Sequence, residues 1–402
     1  MEIEKVCNTV RGIALSPFQS IKTTFRENYE LGLEAAGSAF AVFQDGKLVV
    51  DLYGGYSDVD KRIPWQYDTL TVFFSATKSL TSIVLAMLIS QKLASYDDFV
   101  CTYWPEFASY GKNGITIKHV VQHQAGLPYG NKMLNIDDVM IAENMSKVLE
   151  QMVPLWKPGT TCGYHALTFG FLVDQIVRRI DVKKRGVACI LREEILLKHG
   201  IEDIFIGLPN IQMNSRVTQI VELSEKALKL EKLLNPEGVR LSLLTHNEPY
   251  RCLYDTWPWI KLSEYNNPKK RCLQMPSNMG IGTARGLAKV HSLVVQGDLI
   301  SNDVLKLISV PQLINTMDII NGYSETKGFG WQYNKNKLGK WNIGHSGQGG
   351  QNVRMDLDNK LAYAYLCNGL KACDSDHVYT FRRLQDTLYQ YLSFFHPVSS
   401  PL

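Results

Sequence analysis

The chain has 402 residues, with 43 Lys and Arg against 39 Asp and Glu for a net charge of +4, and it is 45% apolar and 20% charged. That balance suits a folded globular chain with a large core; it excludes extensive disorder, and the charge is too diffuse for nucleic acid or an anionic membrane. The basic triplets Lys183-Lys184-Arg185 and Lys269-Lys270-Arg271 read as solvated surface. The start, MEIEKVCNTVRG, carries acids where a signal peptide has basic residues, and the longest strictly aliphatic run, Ile83 to Ile89, is far short of the ~20 residues of a membrane span. Eight dispersed cysteines without a C-x-x-C pair fit reduced thiols, so a cytoplasmic location is expected.

Along the chain, GSAFAVFQDGKLVVDLYGG reads as two strands joined by a tight turn at Asp45-Gly46. FFSATKSLTSIVLAMLISQ then predicts a long helix, apolar nearly all round and so internal. From Asp97 to Asn278 helical segments such as ITIKHVVQHQ and ALTFGFLVDQIVRRI alternate with Pro- and Gly-bearing loops, and 209–276 is the least regular part. The end returns to strands in GFGWQYN, KWNIGHSG and NVRMDLDNKLAYAYLCN, followed by an amphipathic helix, YTFRRLQDTLYQYLSFF. The expected fold is therefore α+β. An antiparallel sheet built from both termini (1–96 and 279–402) is flanked by helices, with a mainly helical subdomain inserted at 97–278.

An S-x-x-K pair occurs three times, as Ser75/Lys78, Ser109/Lys112 and Ser324/Lys327. Only the first opens a helix, where a spacing of three puts lysine and serine on one face beside the free N–H groups of the helix start. Ser75 as helix cap with Lys78 at the surface competes with nucleophile and activator. Ser346, in GHSGQGG, lacks the final glycine of a nucleophile elbow and is followed by strand rather than helix. His119 and His123 stand four apart without the glutamate or third ligand of a zinc site, so no metal is expected. MGIGTARG has Arg285 where a dinucleotide loop needs its third glycine.

Blocks beyond the pair decide between the readings. DTLTVFFSATKSLTSIVLAMLISQ, YWPEFASYGKNGITIKHVVQHQAGLP, WKPGTTCGYHALTFGFLVDQIVRRI, SNMGIGTARGLAKV, GFGWQY and GHSGQGG together resemble the serine β-lactamase-related family, which includes class C β-lactamases, penicillin-binding proteins and esterases. The resemblance implies the β-lactamase/transpeptidase-like fold. It makes Ser75 the nucleophile, Lys78 its partner and Tyr164 the tyrosine of the second motif. His345-Ser346-Gly347 falls on the third motif, and the N–H groups of Ser75 and Gln348 match the oxyanion hole. Two departures, Ala166 where β-lactamases carry asparagine and His345 where they carry lysine, turn the expectation from β-lactamase to esterase.

A serine hydroxyl needs a base within reach, and either Tyr164 beside a cation or a desolvated Lys78 supplies one. The expected activity is hydrolysis of small acyl esters through an acyl-serine, with no cofactor. Acyl transfer, amide cleavage and a silent scaffold are the alternatives. Trp257 and Trp259 are expected to help wall the acyl pocket.

Overall fold

The computed structural model of the chain describes residues 9–130 and 132–395. Its centre is a nine-stranded antiparallel sheet ordered Arg11–Ala14, Lys47–Gly54, Ser38–Gln44, Leu361–Cys367, Gln351–Asp356, Trp341–Gly347, Trp331–Lys335, Tyr323–Gly328, Leu313–Asp318. The chain's two ends meet where Ser38–Gln44 pairs with Leu361–Cys367, Leu361 opposite Gln44 and Cys367 opposite Ser38. The first hairpin turns at Asp45 and Gly46 with φ of 49° and 75°. Both angles positive is the two-residue geometry whose twist matches that of the strands.

Alternation along these strands sorts two cores. Phe40, Val42, Tyr363 and Tyr365 face the helices Gln19–Glu30 and Tyr379–Phe395. Ala39, Ala41, Ala362 and Ala364 face the other way, and their small side chains let the helix Ala284–Gln296 lie close to the sheet. Beyond it lies the helix Thr77–Ser90, in which every residue from Thr77 to Ile89 is buried. A small antiparallel sheet of Thr71–Phe74, Gly280–Gly282 and Ile204–Ile206 feeds directly into that helix.

The irregular stretch 209–276 contains three short helices, Glu225–Leu234, Pro236–Leu244 and Glu248–Thr256. They are marked by caps rather than periodicity: Ser224 and Asn247 accept the N–H of Ala227 and Tyr250, and Pro236 opens the middle one. The outer strands Leu313–Asp318 and Tyr323–Gly328 carry polar sequences, LINTMD and YSETKG, typical of a sheet edge and weak as strand signals. Among the described residues every cysteine is a free thiol, and no helix is long and apolar enough to cross a membrane. Cys7 lies outside the described residues.

Candidate active site

Ser75 follows a strained turn. Phe74 has φ of +48°, a left-handed conformation that a bulky side chain adopts only under external constraint. The constraint is Thr77, whose hydroxyl donates to Phe74 O at 2.5 Å and accepts the Gly280 N–H at 2.8 Å. Ala76, not Ser75, occupies the cap position of the helix, and no side chain caps it. The Ser75 hydroxyl is thus free to face the cleft, and the reading as an ordinary cap with a surface lysine does not describe this helix start.

Lys78 has no exposed surface. Its Nζ lies 2.7 Å from Ala166 O, 3.2 Å from Ser277 O and 3.1 Å from Ser75 Oγ. The two carbonyls can only accept, so they take two N–H bonds and leave the third direction to the serine hydroxyl. Burial, followed by the charge of Lys327, pushes the Lys78 amine well below the usual lysine range. Nζ donates to all three oxygens as an ammonium; once deprotonated, it keeps the two carbonyl bonds and turns its lone pair to the Ser75 hydroxyl. Ala166, where a carboxamide is missing, contributes its backbone carbonyl instead.

Tyr164 comes from the loop before the helix Thr168–Ile180, held by its N–H to Asp318 Oδ1 at 3.0 Å. Its hydroxyl bonds Ser75, and its ring centroid lies 4.8 Å from Lys78 Nζ and 5.3 Å from Lys327 Nζ. Burial raises the phenol above the ordinary tyrosine value, outweighing the lowering by the Ser75 bond and by Lys327. The ring is therefore a phenol, and the lysine is the more basic-ready partner of the pair.

Lys327 belongs to an S-x-x-K pair that opens no helix and had no local signal of function. It is buried, bonded to Asp318 Oδ2 at 2.5 Å and to Glu325 Oε2 at 2.7 Å. Burial alone would depress it, but the Asp318 and Glu325 carboxylates prevail and hold its ammonium well above the usual range. Asp318 thereby anchors both the Tyr164 backbone and this cation. Their signal lay in long-range pairing, since 162 bridges 318 across the chain. The remaining pair is structural: Lys112 Nζ donates to Glu150 O and Met152 O.

His119 completes a capping box with Thr116, and His123 packs 5.0 Å from the Tyr164 ring; no cluster fit for a metal occurs among the described residues.

In the third motif, strand alternation puts Ser346 on the cleft wall and turns His345 inward, 6.2 Å from the Tyr164 ring. His345 is 2% exposed, and burial above all pushes its imidazole well below the usual range, so it is neutral. Gly347 is pressed onto the Ser75 turn: a Cβ there would come 2.1 Å from Phe73 O and 3.1 Å from Ala76 N. This contact brings Gln348, whose backbone N–H donates to no described residue, to the mouth of the site.

The cleft around these groups has a volume of about 860 Å³. Ser75, Tyr164 and Gln348 border it, and Leu228, Leu253 and Tyr254 come to it from the irregular stretch. Trp257 lines this wall as expected, although it is fully buried and stacked on Phe171 with centroids 5.8 Å apart. Trp259 is not on the wall; its indole N–H bonds Leu134 O, one layer behind Trp257.

The same architecture recurs in known proteins. A family VIII carboxylesterase superposes with a TM-score of 0.82 at 26% identity, covering 95% of this chain and 99% of its own. A penicillin-binding protein homologue from Caulobacter crescentus does so with a TM-score of 0.79 at 27% identity and the same coverages. Esterase/beta-lactamase LipL of Mycobacterium tuberculosis is 29% identical over 266 residues, 66% of this chain but 60% of that protein. The match thus spans less than two thirds of that relative's length. The Beta-lactamase family model covers residues 25–386, which hold every strand of the sheet but Arg11–Ala14, the Ser75 helix and the Tyr164 loop, and the chain belongs to that family.

Proposed function

We propose that the protein is a serine hydrolase of small acyl esters working through an acyl-Ser75 intermediate. The observation that carries this reading is the convergence of Ser75, a desolvated Lys78 and the Tyr164 phenol at one end of a large, mostly apolar-lined cleft. Similarity to LipL and to a family VIII carboxylesterase supports ester chemistry.

Lys78 takes the Ser75 proton as Oγ attacks the acyl carbonyl, and the Ser75 and Gln348 N–H groups hold the oxyanion. As the intermediate collapses, the Tyr164 hydroxyl gives its proton to the departing alkoxide and is reprotonated from the Lys78 ammonium. One ester bond is exchanged for another, and an alcohol leaves. Water then attacks the acyl-serine and surrenders its proton to the same pair, and Ser75 leaves as a hydroxyl. The neutral, inward His345 supplies no fixed charge for a β-lactam carboxylate, which favours esters over antibiotics.

The test is intact-protein mass spectrometry with an ester panel. An acyl adduct mapped to Ser75 and absent from Ser75→Ala is the expected result. Labelling elsewhere, or none with any ester or fluorophosphonate, overturns it in favour of a silent scaffold. Adding a competing alcohol and finding transesterified product in place of acid would reassign the reaction to acyl transfer.

A further inference from the structure

One carboxylate in the cleft has no use in this chemistry. Asp374 borders the cleft and is open to it, yet among the described residues its carboxylate takes one hydrogen bond, from the Gly349 N–H at 3.2 Å, one residue beyond Gln348. It has no ion-pair partner among the described residues. The lysine nearest in sequence, Lys371, is committed to Glu34 and Leu33 O at 2.7 Å each. Desolvation in the cleft pushes the Asp374 carboxyl above the usual range; Glu325 and Glu231 push the same way, against only the Gly349 N–H. No cation compensates it.

Tyr250, Tyr254 and Tyr323 are among the tyrosines that border the same space. Tyr250 and Tyr254 lie with ring centroids 6.0 Å apart, and Tyr254 is 42% exposed toward the cleft and bonded to Gln348. Tyr323 also lines it, and the charge of Asp374 reaches all three rings and Tyr164 as well. A carboxylate that shares a cleft with aromatic side chains can attract an ammonium group. The ring faces attract a cation, and the anion completes the charge balance that the protein leaves open. The structure otherwise spends its buried carboxylates on internal partners, as with Asp318 on Lys327 and Glu34 on Lys371. Asp374, exposed in the cleft beside an oxyanion donor, has no such internal partner and is open to a charge that arrives with the substrate.

We infer that, among the esters of the proposed reaction, the cleft selects those carrying a cationic amine, which seats against Asp374 and the Tyr250, Tyr254 and Tyr323 rings. This rests on the ester-hydrolase reading of the site.

Two isosteric pairs test it: acetylcholine against 3,3-dimethylbutyl acetate, with the cation in the alcohol, and the aryl esters of 4-trimethylammoniobutanoate against 5,5-dimethylhexanoate, with the cation in the acyl chain. In the wild type, kcat/KM for the cationic member of at least one pair exceeds that of its neutral partner by about tenfold or more. In Asp374→Asn that ratio collapses toward one. Tetramethylammonium alone competes with neutral-ester hydrolysis by the wild type, which reads the site without any variant. Ester turnover with no cationic preference in either pair and no competition by tetramethylammonium overturns the inference and leaves the hydrolase reading intact. A preference that survives in Asp374→Asn also overturns it. Absence of turnover and of a Ser75 adduct with every ester defeats the hydrolase reading itself.

Discussion

The helix Thr77–Ser90, which lies behind the Ser75 turn, and the three helices of 225–256, which line the cleft, are built in opposite ways. In the first, the polar side chains are spent inside the protein: Thr77 on Phe74 and Gly280, Ser79 on His291 and Trp331, Thr81 on Pro276, Ser82 on Lys78 O and Gly330. In the second, the helix Glu225–Leu234 buries none of its residues, and its neighbours bury only Gly238, Val239, Leu253 and Thr256. The floor holds three groups to within a hydrogen bond and cannot repack without losing many bonds at once. The wall has few such ties, so its side chains can change with little cost to the fold. In the proposed reaction, geometry would belong to the first region and substrate choice to the second.

Breaking the floor gives the largest effects. Ser75→Ala removes the nucleophile, and steady-state assays should show kcat lower by about 10³-fold or more. Lys78→Met leaves Ser75 without its base and lowers kcat by about 10²–10⁴-fold. In the wild type, kcat/KM should rise with pH as the Lys78 ammonium deprotonates, at a pH below the usual lysine range because burial depresses it. Lys78→Met loses that limb of the pH profile.

The same residue makes a second, independent claim about stability. A lysine that is neutral when folded and protonated when unfolded makes the unfolded state bind more protons. Stability therefore rises with pH between its depressed folded value and its ordinary unfolded one. Lys78→Met abolishes this slope and melts no lower than the wild type at neutral pH in calorimetry, although it is inactive.

Two replacements probe how the floor is held. Gly347→Ala forces a Cβ onto Phe73 O and displaces either the Ser75 turn or the Gln348 strand end, so kcat falls while KM changes less. Asp318→Asn unbalances Lys327 at a fully buried site, and denaturant titration should show a loss of about 3–5 kcal/mol.

The wall gives the smallest effects, and they sharpen the contrast. Tyr254→Ala should shift ester chain-length preference while stability stays within about 0.5 kcal/mol. Trp257→Ala changes a residue that lines the cleft and is also fully buried in the core. It opens a cavity costing about 3–5 kcal/mol, so altered kinetics in that variant do not by themselves report acyl recognition. Trp259→Ala, one layer farther back, should leave chain-length preference unchanged at matched folded protein.

Local sequence was sufficient for features whose cause is local. The Asp45-Gly46 turn, the all-apolar helix after Ser75 and the closing strands are set by backbone preference and by hydrophobic period over a few residues. The order of motifs around Ser75, Tyr164 and Gly347 carried the family, because the blocks occur in one order along one chain. Tertiary structure alone decided the rest. Lys327 and Lys78 occupy the same motif with the same spacing, yet one amine is stripped of water among carbonyls and the other is clamped by two carboxylates. Opposite protonation follows from neighbours that come from 166 and 277 in one case and 318 and 325 in the other. His345 likewise turns inward because strand register, not motif, assigns its face. An amino-acid sequence names the groups; which of them keeps its proton depends on what the folded chain brings against it.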